Sequence, residues 1–461
     1  MRYVSTRGAA PEVGFTDALL AGMAPDGGLY TPRVWPRLAA ADIAGFAERP
    51  YAEVAARILA LFAGEDIPRP VLEAVCAAAY SRFDHIAVAP LVQLAPARFV
   101  LELFHGPTLA FKDIAMQVLG GLFAHALERR SRTMTVVAAT SGDTGGAAAV
   151  AFAGVPGVRL IILYPEGRIS AVQRRFMTTT GADNVRCLAI GADFDACQAM
   201  MKALFADHAF ARETGLAAVN SVNIARIAAQ CVYYFTAGAA LGAPGREIAF
   251  AVPTGNFGDA YAGWATRAMG LPVRRIIAAT NANAMIAKAL CEGIYRRGPA
   301  VETQSPAMDI QAASNFERLH FEHAGRGNLE TAQAFEAFAR TGEISLTPAL
   351  RAALGEVFDG ASASEADTAQ AMRRAWRESG MLIDPHTAVA LSAAERSTWQ
   401  GAPMVVLSTA HPAKFPDAVL AATGQAPLDP PAVAKLAGLR ERLEPMAPDV
   451  EALKGYVRAW S

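Results

Sequence analysis

The chain has 461 residues, of which 53% are hydrophobic and 18% charged, and this composition describes a compact folded protein of two or three domains rather than a disordered one. Lys and Arg number 42 against 43 Asp and Glu, a formal net charge of −1, so no global field attracts nucleic acid or an anionic membrane. No uninterrupted apolar run reaches the roughly 18–20 residues that a membrane span needs.

The N-terminal residues and the cysteines predict a cytoplasmic protein. The first residues contain no apolar signal-peptide core, and Pro11 and Glu12 follow a polar stretch. None of the cysteines belongs to a C-x-x-C pair or has metal-ligand spacing with a histidine. An odd, sparse set is typical of reduced thiols, so we expect no metal site. The cysteines are Cys76, Cys187, Cys197, Cys231 and Cys291.

Residues 1–90 are predicted to form a mainly helical N-terminal unit. Apolar residues recur at a spacing of three and four in residues 39–47, 51–62 and 71–80, which is the period of an amphipathic helix. A short strand is expected at residues 2–5.

From about residue 91 the pattern changes to apolar, often β-branched runs that alternate with Ala-rich helical patterns. Short buried strands separated by helices indicate βαβ units and a parallel sheet covered on both faces. Right-handed crossovers then place the strand-to-helix turns along one edge, where ligands bind in open α/β sheets. The predicted strands are 99–104, 134–139, 158–163, 185–190, 247–252, 273–279 and 404–407.

The remaining patterns complete a division of the chain into three parts. Residues 300–400 are predicted to be helices with a linker or insertion, and residues 440–461 a C-terminal helix interrupted by Pro445 and Pro448. We therefore predict an N-terminal domain at 1–90, a core at 91–430 with a smaller lobe at roughly 130–215, and a helical tail at 431–461.

Lys112 is the first residue whose surroundings suggest chemistry. It follows the apolar triplet Leu109-Ala110-Phe111 and precedes a helix predicted from Ile114 to about Arg129. Desolvation disfavours an ammonium in such surroundings, which lowers its pKa and frees the amine to act as a nucleophile or Schiff-base partner. Taken alone, a lysine beside a helix start is more often a surface group.

The turn Thr140-Ser141-Gly142-Asp143-Thr144 lies between a predicted strand and a helix predicted at 144–153. Its position and composition suit an anion. The charge of Asp143 would repel an anion if it pointed inward, so we expect Asp143 to cap the helix or to bind the ammonium end of the ligand. The alternative is a capped helix start with no ligand.

The stretch Gly255-Asn256-Phe257-Gly258-Asp259 is a further candidate for anion binding. Its glycines let backbone N–H groups approach a dianion, and the N-terminus of the helix that runs on to Met269 adds positive potential. The alternative is an ordinary turn in which Asp259 caps the helix. The G-K-[ST] of a Walker A loop is missing, and no dinucleotide fingerprint follows a predicted strand.

Four segments together resemble threonine synthase, a pyridoxal-phosphate (PLP) enzyme of the tryptophan-synthase-β-like fold. They are 105–113 (HGPTLAFKD), 140–145 (TSGDTG), 253–259 (PTGNFGD) and 408–412 (STAHP). Residues 27–30 (GGLY) and 220–226 (NSVNIAR) fit the same family, and the resemblance extends from Tyr3 to about residue 420. Ile224 stands where the family commonly has an aromatic residue, which removes a stacking surface from that segment.

The resemblance implies an α/β fold of PLP fold type II, with parallel-rich sheets in two lobes plus a mainly helical N-terminal unit. It implies that Lys112 forms the covalent link to the cofactor. Thr409 would hydrogen-bond the pyridine nitrogen, where a neutral hydroxyl moderates the electron sink. The residues expected to hold the cofactor phosphate, mainly through backbone amides, are Gly255, Asn256, Phe257, Gly258 and Asp259.

The same resemblance implies the substrate-binding residues. In relatives of this fold the turn that corresponds to 140–144 binds the substrate α-carboxylate, which implies that role for Ser141, Gly142 and Thr144. Asn220 belongs to the 220–226 segment.

Arg226 and Lys414 each lie in a family-like segment, and we expect them to bind the substrate's own phosphate. Arginine binds phosphate bidentately, and lysine supplies a point charge. The alternative is that Arg226 pairs with an acid on its helix and that Lys414 is solvated. His105 and His411 are the other polar residues near the motifs, and a lone histidine is more often structural than catalytic.

The activity that the resemblance implies is the conversion of O-phospho-L-homoserine and water to L-threonine and phosphate, the last step of threonine biosynthesis. Two alternatives are kept. One is a serine or threonine dehydratase of the same fold, which needs no site for a substrate phosphate. The other is a non-catalytic homologue that binds ligands without turnover. We expect a small-molecule substrate and neither nucleic acid nor membrane as a partner, and the oligomeric state is open between monomer and homodimer.

Overall fold

Two mainly parallel sheets, each covered by helices, carry the turns singled out above. The computed structural model describes residues 1–399 and 401–460. Gln400, in the predicted core, and Ser461, in the predicted tail, lie outside the described residues. The strands are β1 (Tyr3–Ser5), β2 (Tyr30–Pro32), β3 (Leu91–Ala95), β4 (Arg98–Glu102), β5 (Met134–Ala139), β6 (Val158–Pro165), β7 (Val185–Ile190), β8 (Leu216–Ala217), β9 (Ile248–Pro253), β10 (Val273–Thr280), β11 (Ile294–Arg296), β12 (Glu343–Ser345), β13 (Phe358–Ser362), β14 (Met404–Ser408) and β15 (Glu444–Met446).

The larger sheet has six strands in the order β13-β10-β9-β14-β4-β3. Every neighbouring pair is parallel except β3 and β4. All residues of β9 and β14 are buried, as expected for central strands that have helices on both faces.

The smaller sheet has five parallel strands in the order β15-β7-β6-β5-β8. Four of them lie within residues 134–217, and β15 comes from the C-terminal end of the chain. We call this sheet and its helices the small lobe. Two antiparallel pairs, β1 with β2 and β11 with β12, lie outside both sheets.

The helices that cover the sheets begin and end as follows. They are α1 (Phe15–Ala21), α2 (Ala40–Ala44), α3 (Tyr51–Ala63), α4 (Arg69–Tyr80), α5 (Lys112–Arg130), α6 (Asp143–Phe152), α7 (Ala171–Thr178), α8 (Phe194–Ala206), α9 (His208–Glu213), α10 (Ile224–Ala240), α11 (Gly258–Ala268), α12 (Met285–Glu292), α13 (Phe316–His323), α14 (Asn328–Thr341), α15 (Pro348–Gly355), α16 (Glu365–Ser379), α17 (Pro385–Arg396), α18 (Pro416–Thr423), α19 (Pro431–Ala434) and α20 (Val450–Trp460), with short 3₁₀ turns at Gly45–Glu48, Pro306–Met308 and Pro412–Lys414.

The N-terminal helices share one hydrophobic core with the rest of the molecule. Helix α3 packs on α10, and α4 packs on α5. The apolar faces of the predicted helices 51–62 and 71–80 are buried in this core. The N-terminal unit therefore supports α5, the helix that begins at Lys112.

Most predicted elements are confirmed, and three differences are informative. β5 and β7 have their predicted bounds. The sequence patterns do not predict the strands β2, β3, β8, β11, β12, β13 and β15. The predicted C-terminal helix at 440–461 is wrong in its first part, which contains β15, and the helix α20 begins only at Val450.

The prediction that all three strand-to-helix turns lie on one sheet edge is also wrong. The turn after β5 belongs to the smaller sheet, whereas the turns after β9 and β14 belong to the larger one. The boundaries proposed at residues 90 and 430 stay a prediction.

No described helix combines the length and apolarity that crossing a membrane requires. All five cysteines are free thiols. The described residues contain no cluster of His, Cys, Asp or Glu that could hold a metal ion.

The C-terminal tail returns to the small lobe, and its last helix is anchored there by two buried apolar side chains, Leu453 and Val457. Leu453 of α20 is fully buried against the smaller sheet in a cluster with Val137 and Ile161. We expect Leu453→Ala to lower the free energy of unfolding by about 2–5 kcal/mol, the usual cost of a buried Leu→Ala change. Leu428→Ala is the matched control, because Leu428 is 88% exposed. Urea unfolding monitored by circular dichroism measures both variants, and equal stabilities would contradict the anchoring role.

Candidate active site

A cleft with a cavity volume of about 550 Å³ lies between the two sheets. The residues directly after β5, β9 and β14 line it, together with Lys112 and the first residues of α11. The turns from separate sheets thus face one another across the cleft.

Lys112 is the first residue of α5, and its side chain is 13% exposed where it lines the cleft. Backbone hydrogen bonds hold the preceding turn on the segment after β14. The N–H of Phe111 donates to the Thr409 carbonyl at 2.8 Å, and the N–H of His411 donates to the Leu109 carbonyl at 3.0 Å. Leu109 has a positive φ of 59°, a strained conformation for a leucine. The position of Lys112 is therefore set by strand β14 as well as by its own helix.

The surroundings of Lys112 favour the neutral amine. Burial lowers the pKa of Lys112, and the charges of Lys414 and Arg226 lower it further, whereas Asp143 opposes the shift. The N-terminal end of α5 adds positive potential at the same point. The lowered pKa that the sequence predicted is thus confirmed in direction.

Asp143 does not cap helix α6 but pairs with two lysines. Its carboxylate lies 2.7 Å from Lys414 Nζ and 3.6 Å from Lys112 Nζ, and it accepts a hydrogen bond from Gln173 Nε2 at 3.0 Å. The helix has no side-chain cap. Although burial would favour the neutral acid, the two lysines hold the pKa of Asp143 well below its usual range. The expectation that Asp143 caps the helix is therefore wrong, and the ammonium groups that it contacts are those of two lysines of the chain. Binding of the ammonium end of a substrate stays a prediction.

The 255–259 turn presents unpaired backbone donors to the cleft. The N–H groups of Asn256 and Phe257 form no hydrogen bond with the described residues. Phe257 has a left-handed conformation with φ 61°, and α11 begins at the next residue. Free N–H groups at a helix N-terminus form an anion-binding site.

Asp259 stabilises this turn from behind. Its carboxylate accepts hydrogen bonds from the hydroxyls of Tyr233 at 2.5 Å and Tyr234 at 2.8 Å. Burial raises the pKa of Asp259 to about 6, although the two tyrosine hydrogen bonds act to lower it. The side chain therefore faces the protein, and only the backbone of Asp259 is available to an anion.

Four polar side chains predicted for the site line the cleft with free groups. The hydroxyls of Thr409, Ser141 and Thr144 form no hydrogen bond with the described residues. Asn220 also lines the cleft, and within the described part of the chain its side-chain amide hydrogen-bonds only to Met201 Sδ, at 3.8 Å.

Arg226 is a buried cation that lacks an anionic partner. Its side chain lines the cleft although the residue is only 3% exposed. Nη1 donates to the Val219 carbonyl at 3.2 Å, and Nε has no partner. Burial lowers the pKa of Arg226 to about 10. No carboxylate among the described residues forms an ion pair with it, so the alternative of an acid on its own helix is wrong.

Two predicted residues do not line the cleft. The N–H of Gly142 already donates to the Thr140 hydroxyl at 2.9 Å. Lys414 is buried, and its ammonium is bonded to Asp143 and to the Thr108 carbonyl. The prediction of a solvated Lys414 is wrong for the same reason, and direct substrate contacts by Gly142 and Lys414 have no support in this geometry.

His105 and His411 also lie away from the cleft. His105 is bonded to Glu102 at 2.8 Å and Asp84 at 3.0 Å. Although burial opposes the shift, these two carboxylates raise the pKa of His105. His411 accepts a hydrogen bond from the Ala413 N–H. Both histidines are structural.

The sequence did not reveal His386, which lines the cleft from the start of α17. Its Nδ1 lies 2.7 Å from Asp384, and its Nε2 accepts a hydrogen bond from the Ala307 N–H at 3.2 Å. His386 thereby holds the 306–312 segment, which forms one wall. The sequence Asp384-Pro385-His386 has the pattern of a capped helix start, with an N-cap aspartate followed by proline. This pattern could have identified the segment as a further candidate. Other lining residues not predicted are Lys202, Gln230 and Arg297.

These residues fit PLP. The cleft contains an amine with a lowered pKa at Lys112, unpaired N–H donors at Asn256 and Phe257 for a phosphate, and the free hydroxyl of Thr409 for a ring nitrogen. Such a set would bind the aldehyde, the phosphate and the pyridine of one molecule.

Three family models match the chain in order along the sequence. "Threonine synthase N terminus" matches residues 2–80, "Pyridoxal-phosphate dependent enzyme" matches residues 83–357, and "Threonine synthase, C-terminal" matches residues 387–457.

The chain is also similar to individual proteins over its full length. It is 45% identical over 459 residues to threonine synthase of Pseudomonas aeruginosa, a match that covers 99% of this chain and 98% of that protein. The crystal structure of PLP-bound threonine synthase from Brucella melitensis has a TM-score of 0.96 at 45% identity and covers 100% of this chain and 99% of its own. Threonine synthase from yeast has a TM-score of 0.93 at 35% identity, with 99% and 98% covered.

Gly255 allows the 255–259 turn to pack against the segment that His386 holds. A Cβ at this position would lie 2.7 Å from the Ala307 carbonyl oxygen. We expect Gly255→Ala to displace the turn and to raise the Kd for PLP roughly 5- to 150-fold, the ratio that corresponds to an overpacking cost of about 1–3 kcal/mol. Absorbance titration of the apoprotein measures the Kd. Gly355→Ala is the control, because a Cβ there meets no atom within 4 Å. An unchanged Kd in Gly255→Ala would show that the turn does not bind the cofactor.

Proposed function

The chain belongs to the threonine synthase family, and we propose that Lys112 and Arg226 divide the chemical work of its reaction. The enzyme converts O-phospho-L-homoserine and water to L-threonine and phosphate with PLP as its cofactor. The observation that carries the proposal is that an amine with a lowered pKa and a buried, unpaired guanidinium line the same cleft.

Lys112 binds the cofactor and moves protons. The cofactor, when bound, supplies an electron sink for negative charge that develops on the substrate carbons. The Lys112 amine takes the proton from the substrate Cα, which requires a base whose pKa has been lowered towards neutrality. Because the side chain is mostly buried, few waters compete for the amine.

The 255–259 turn and Thr409 orient the cofactor. The free N–H groups of Asn256 and Phe257, with Gly255 and Gly258 beside them, bind its phosphate at the start of α11. The Thr409 hydroxyl donates to the pyridine nitrogen as a neutral group.

Ser141, Thr144 and Asn220 bind the amino-acid end of the substrate. Their free hydroxyl and amide groups line the cleft, Ser141 and Thr144 from the turn after β5 and Asn220 from the segment after β8. Ser141 and Thr144 donate to the α-carboxylate, which orients the Cα–H bond towards Lys112.

Arg226 binds the substrate phosphate and stabilises it as it leaves Cγ. A buried guanidinium without an anion carries a desolvation cost, and a bound phosphate compensates that charge. The negative charge on the leaving oxygen grows during the elimination, so a fixed cation lowers the barrier. A second proton leaves Cβ as the phosphate departs from Cγ. Cγ then gains a proton and becomes the methyl group, water adds its hydroxyl at Cβ, and Cα regains a proton, so that one water enters and one phosphate leaves.

The proposed phosphate site at Arg226 distinguishes threonine synthase activity from the two alternatives. A serine or threonine dehydratase has no substrate phosphate to bind, and the unpaired Arg226 would then be an uncompensated buried charge. A non-catalytic homologue would not need the lowered pKa of Lys112. Location in the cytoplasm, and a monomer or a homodimer as the assembly, stay predictions from the sequence.

Replacing Lys112 tests the assignment of the amine. We expect Lys112→Ala to lose covalent cofactor binding and nearly all phosphate release from O-phospho-L-homoserine, while the fold is retained. Borohydride reduction of the parent holoprotein followed by peptide mapping should place the pyridoxyl group on Lys112. A label on Lys202, Lys288 or Lys414 would overturn the assignment. Turnover of L-serine or L-threonine instead of O-phospho-L-homoserine by the parent would favour the dehydratase.

Replacing Arg226 tests the second anion site. Arg226→Gln should reduce kcat/KM for O-phospho-L-homoserine by ~10²-fold or more, as loss of one contact to a developing anion does. The absorbance of the bound cofactor should stay normal. Arg212→Gln is the control, since Arg212 is exposed on α9. If kcat/KM stays within a few fold of the parent, Arg226 does not bind the substrate phosphate; if cofactor binding is lost, Arg226 belongs to the other phosphate.

A further inference from the structure

Lys414 is one of the most deeply buried charged residues of the protein, and its ammonium has two oxygen partners inside the fold. The residue is 1% exposed. Its Nζ lies 2.7 Å from Asp143 Oδ1 and donates to the Thr108 carbonyl at 2.8 Å. The Phe176 ring centroid lies 5.5 Å away. The ammonium thus directs two of its three N–H donors to protein oxygens, and Lys414 is not among the residues that line the cleft.

Asp143 is shared unequally between its two lysines. Oδ1 contacts Lys414 at 2.7 Å, whereas Oδ2 is 3.6 Å from Lys112. The first distance is that of a charge-assisted hydrogen bond, and the second is longer than one. Gln173 occupies a further position on Oδ1. The carboxylate therefore neutralises Lys414 first and holds Lys112 only loosely.

We propose that Lys414 is a positioning residue that draws the Asp143 carboxylate away from Lys112, so that the Lys112 amine is left free to react. The proposal rests on the proposed function only for the identity of Lys112 as the reacting amine. It replaces the expectation that Lys414 binds the substrate phosphate.

The charges around Lys112 are consistent with this role of Lys414. Burial lowers the pKa of Lys112 most, and Lys414 and Arg226 act in the same direction. Asp143 alone would raise it, because a carboxylate stabilises a neighbouring ammonium. Removal of the charge of Lys414 should therefore raise the pKa of Lys112, and removal of the charge of Asp143 should lower it. A pair that only joined parts of the fold, without acting on the charge of the amine, predicts no shift in either variant.

The same contacts tie together three parts of the chain. Lys414 follows β14, Thr108 belongs to the turn before Lys112, and Asp143 begins α6 of the small lobe. Thr108 is fixed in turn, since its N–H and hydroxyl both donate to Asp113 at 2.7 and 2.8 Å. The charge that tunes Lys112 is thus held in place by residues of the same motif.

Competitive acetylation measures the protonation of Lys112 directly. Full-length apoprotein is treated with acetic anhydride across a pH series, and the Lys112 peptide is quantified by mass spectrometry. The pH midpoint of labelling reports the pKa, because only the free amine reacts. We expect Lys414→Met and Lys414→Gln to raise the midpoint by roughly one unit, and Asp143→Asn to lower it by roughly one unit, as neighbouring charges commonly do.

The variants separate charge from contact. Lys414→Met keeps most of the length without a donor, and Lys414→Gln keeps a donor without the charge. Asp143→Asn has the shape of the parent and leaves Lys414 bonded to Thr108. Lys288→Met is the control, since Lys288 is exposed on α12 and should leave the midpoint unchanged. Circular dichroism and Tm identify any variant that fails to fold.

Opposite shifts in the Lys414 and Asp143 variants support the proposal. Shifts of the same sign, or none in either, overturn it. If both Lys414 variants are unfolded, an upward or absent shift in Asp143→Asn overturns it. Phosphate release from O-phospho-L-homoserine by the parent is measured separately, so a failure of the proposed function is distinguishable from a failure of this inference.

Discussion

The arrangement of the cleft depends on the burial of one positive charge. The ammonium of Lys414 is stable inside the protein only because Asp143 and the Thr108 carbonyl reach it together. These groups come from the two sheets and from the turn before α5. These contacts therefore connect the small lobe to the larger sheet beside Lys112. A change in them affects both the packing of the lobes and the surroundings of the reactive amine.

The cleft carries more positive than negative charge near its centre. Beside the amine of Lys112, the carboxylate of Asp143 offsets only one of the two positive charges of Lys414 and Arg226, while the carboxylate of Asp259 is turned towards two tyrosines. Anionic ligands complete this balance, and both the cofactor and the substrate carry a phosphate. Binding should therefore stabilise the fold as well as fill the site, by about 2.7 kcal/mol for a ligand at 100 times its Kd.

How far the sequence predicts the structure differs between elements. β5 and β7 have their predicted bounds because apolar, β-branched runs identify buried strands directly. β15, with Pro445 at its centre, becomes a strand only through pairing with β7, so no local pattern could reveal it. The same limit applies to side chains. The motifs identified Lys112 and the 255–259 turn, but separation along the chain does not determine distances in the folded protein. The roles of Lys414, Asp143 and His386 depend on contacts between distant segments and became visible only in the fold.

The pairing of β15 with β7 also sets an order of events during synthesis. β7 ends at Ile190, and its partner begins at Glu444. At 5–20 residues per second, the ribosome needs roughly 10 to 50 seconds to make the roughly 250 residues between them. Throughout that time one side of the nascent smaller sheet has unpaired backbone donors and acceptors, which is the kind of edge at which chains aggregate. The last residues of the chain thus protect a surface that was made long before them.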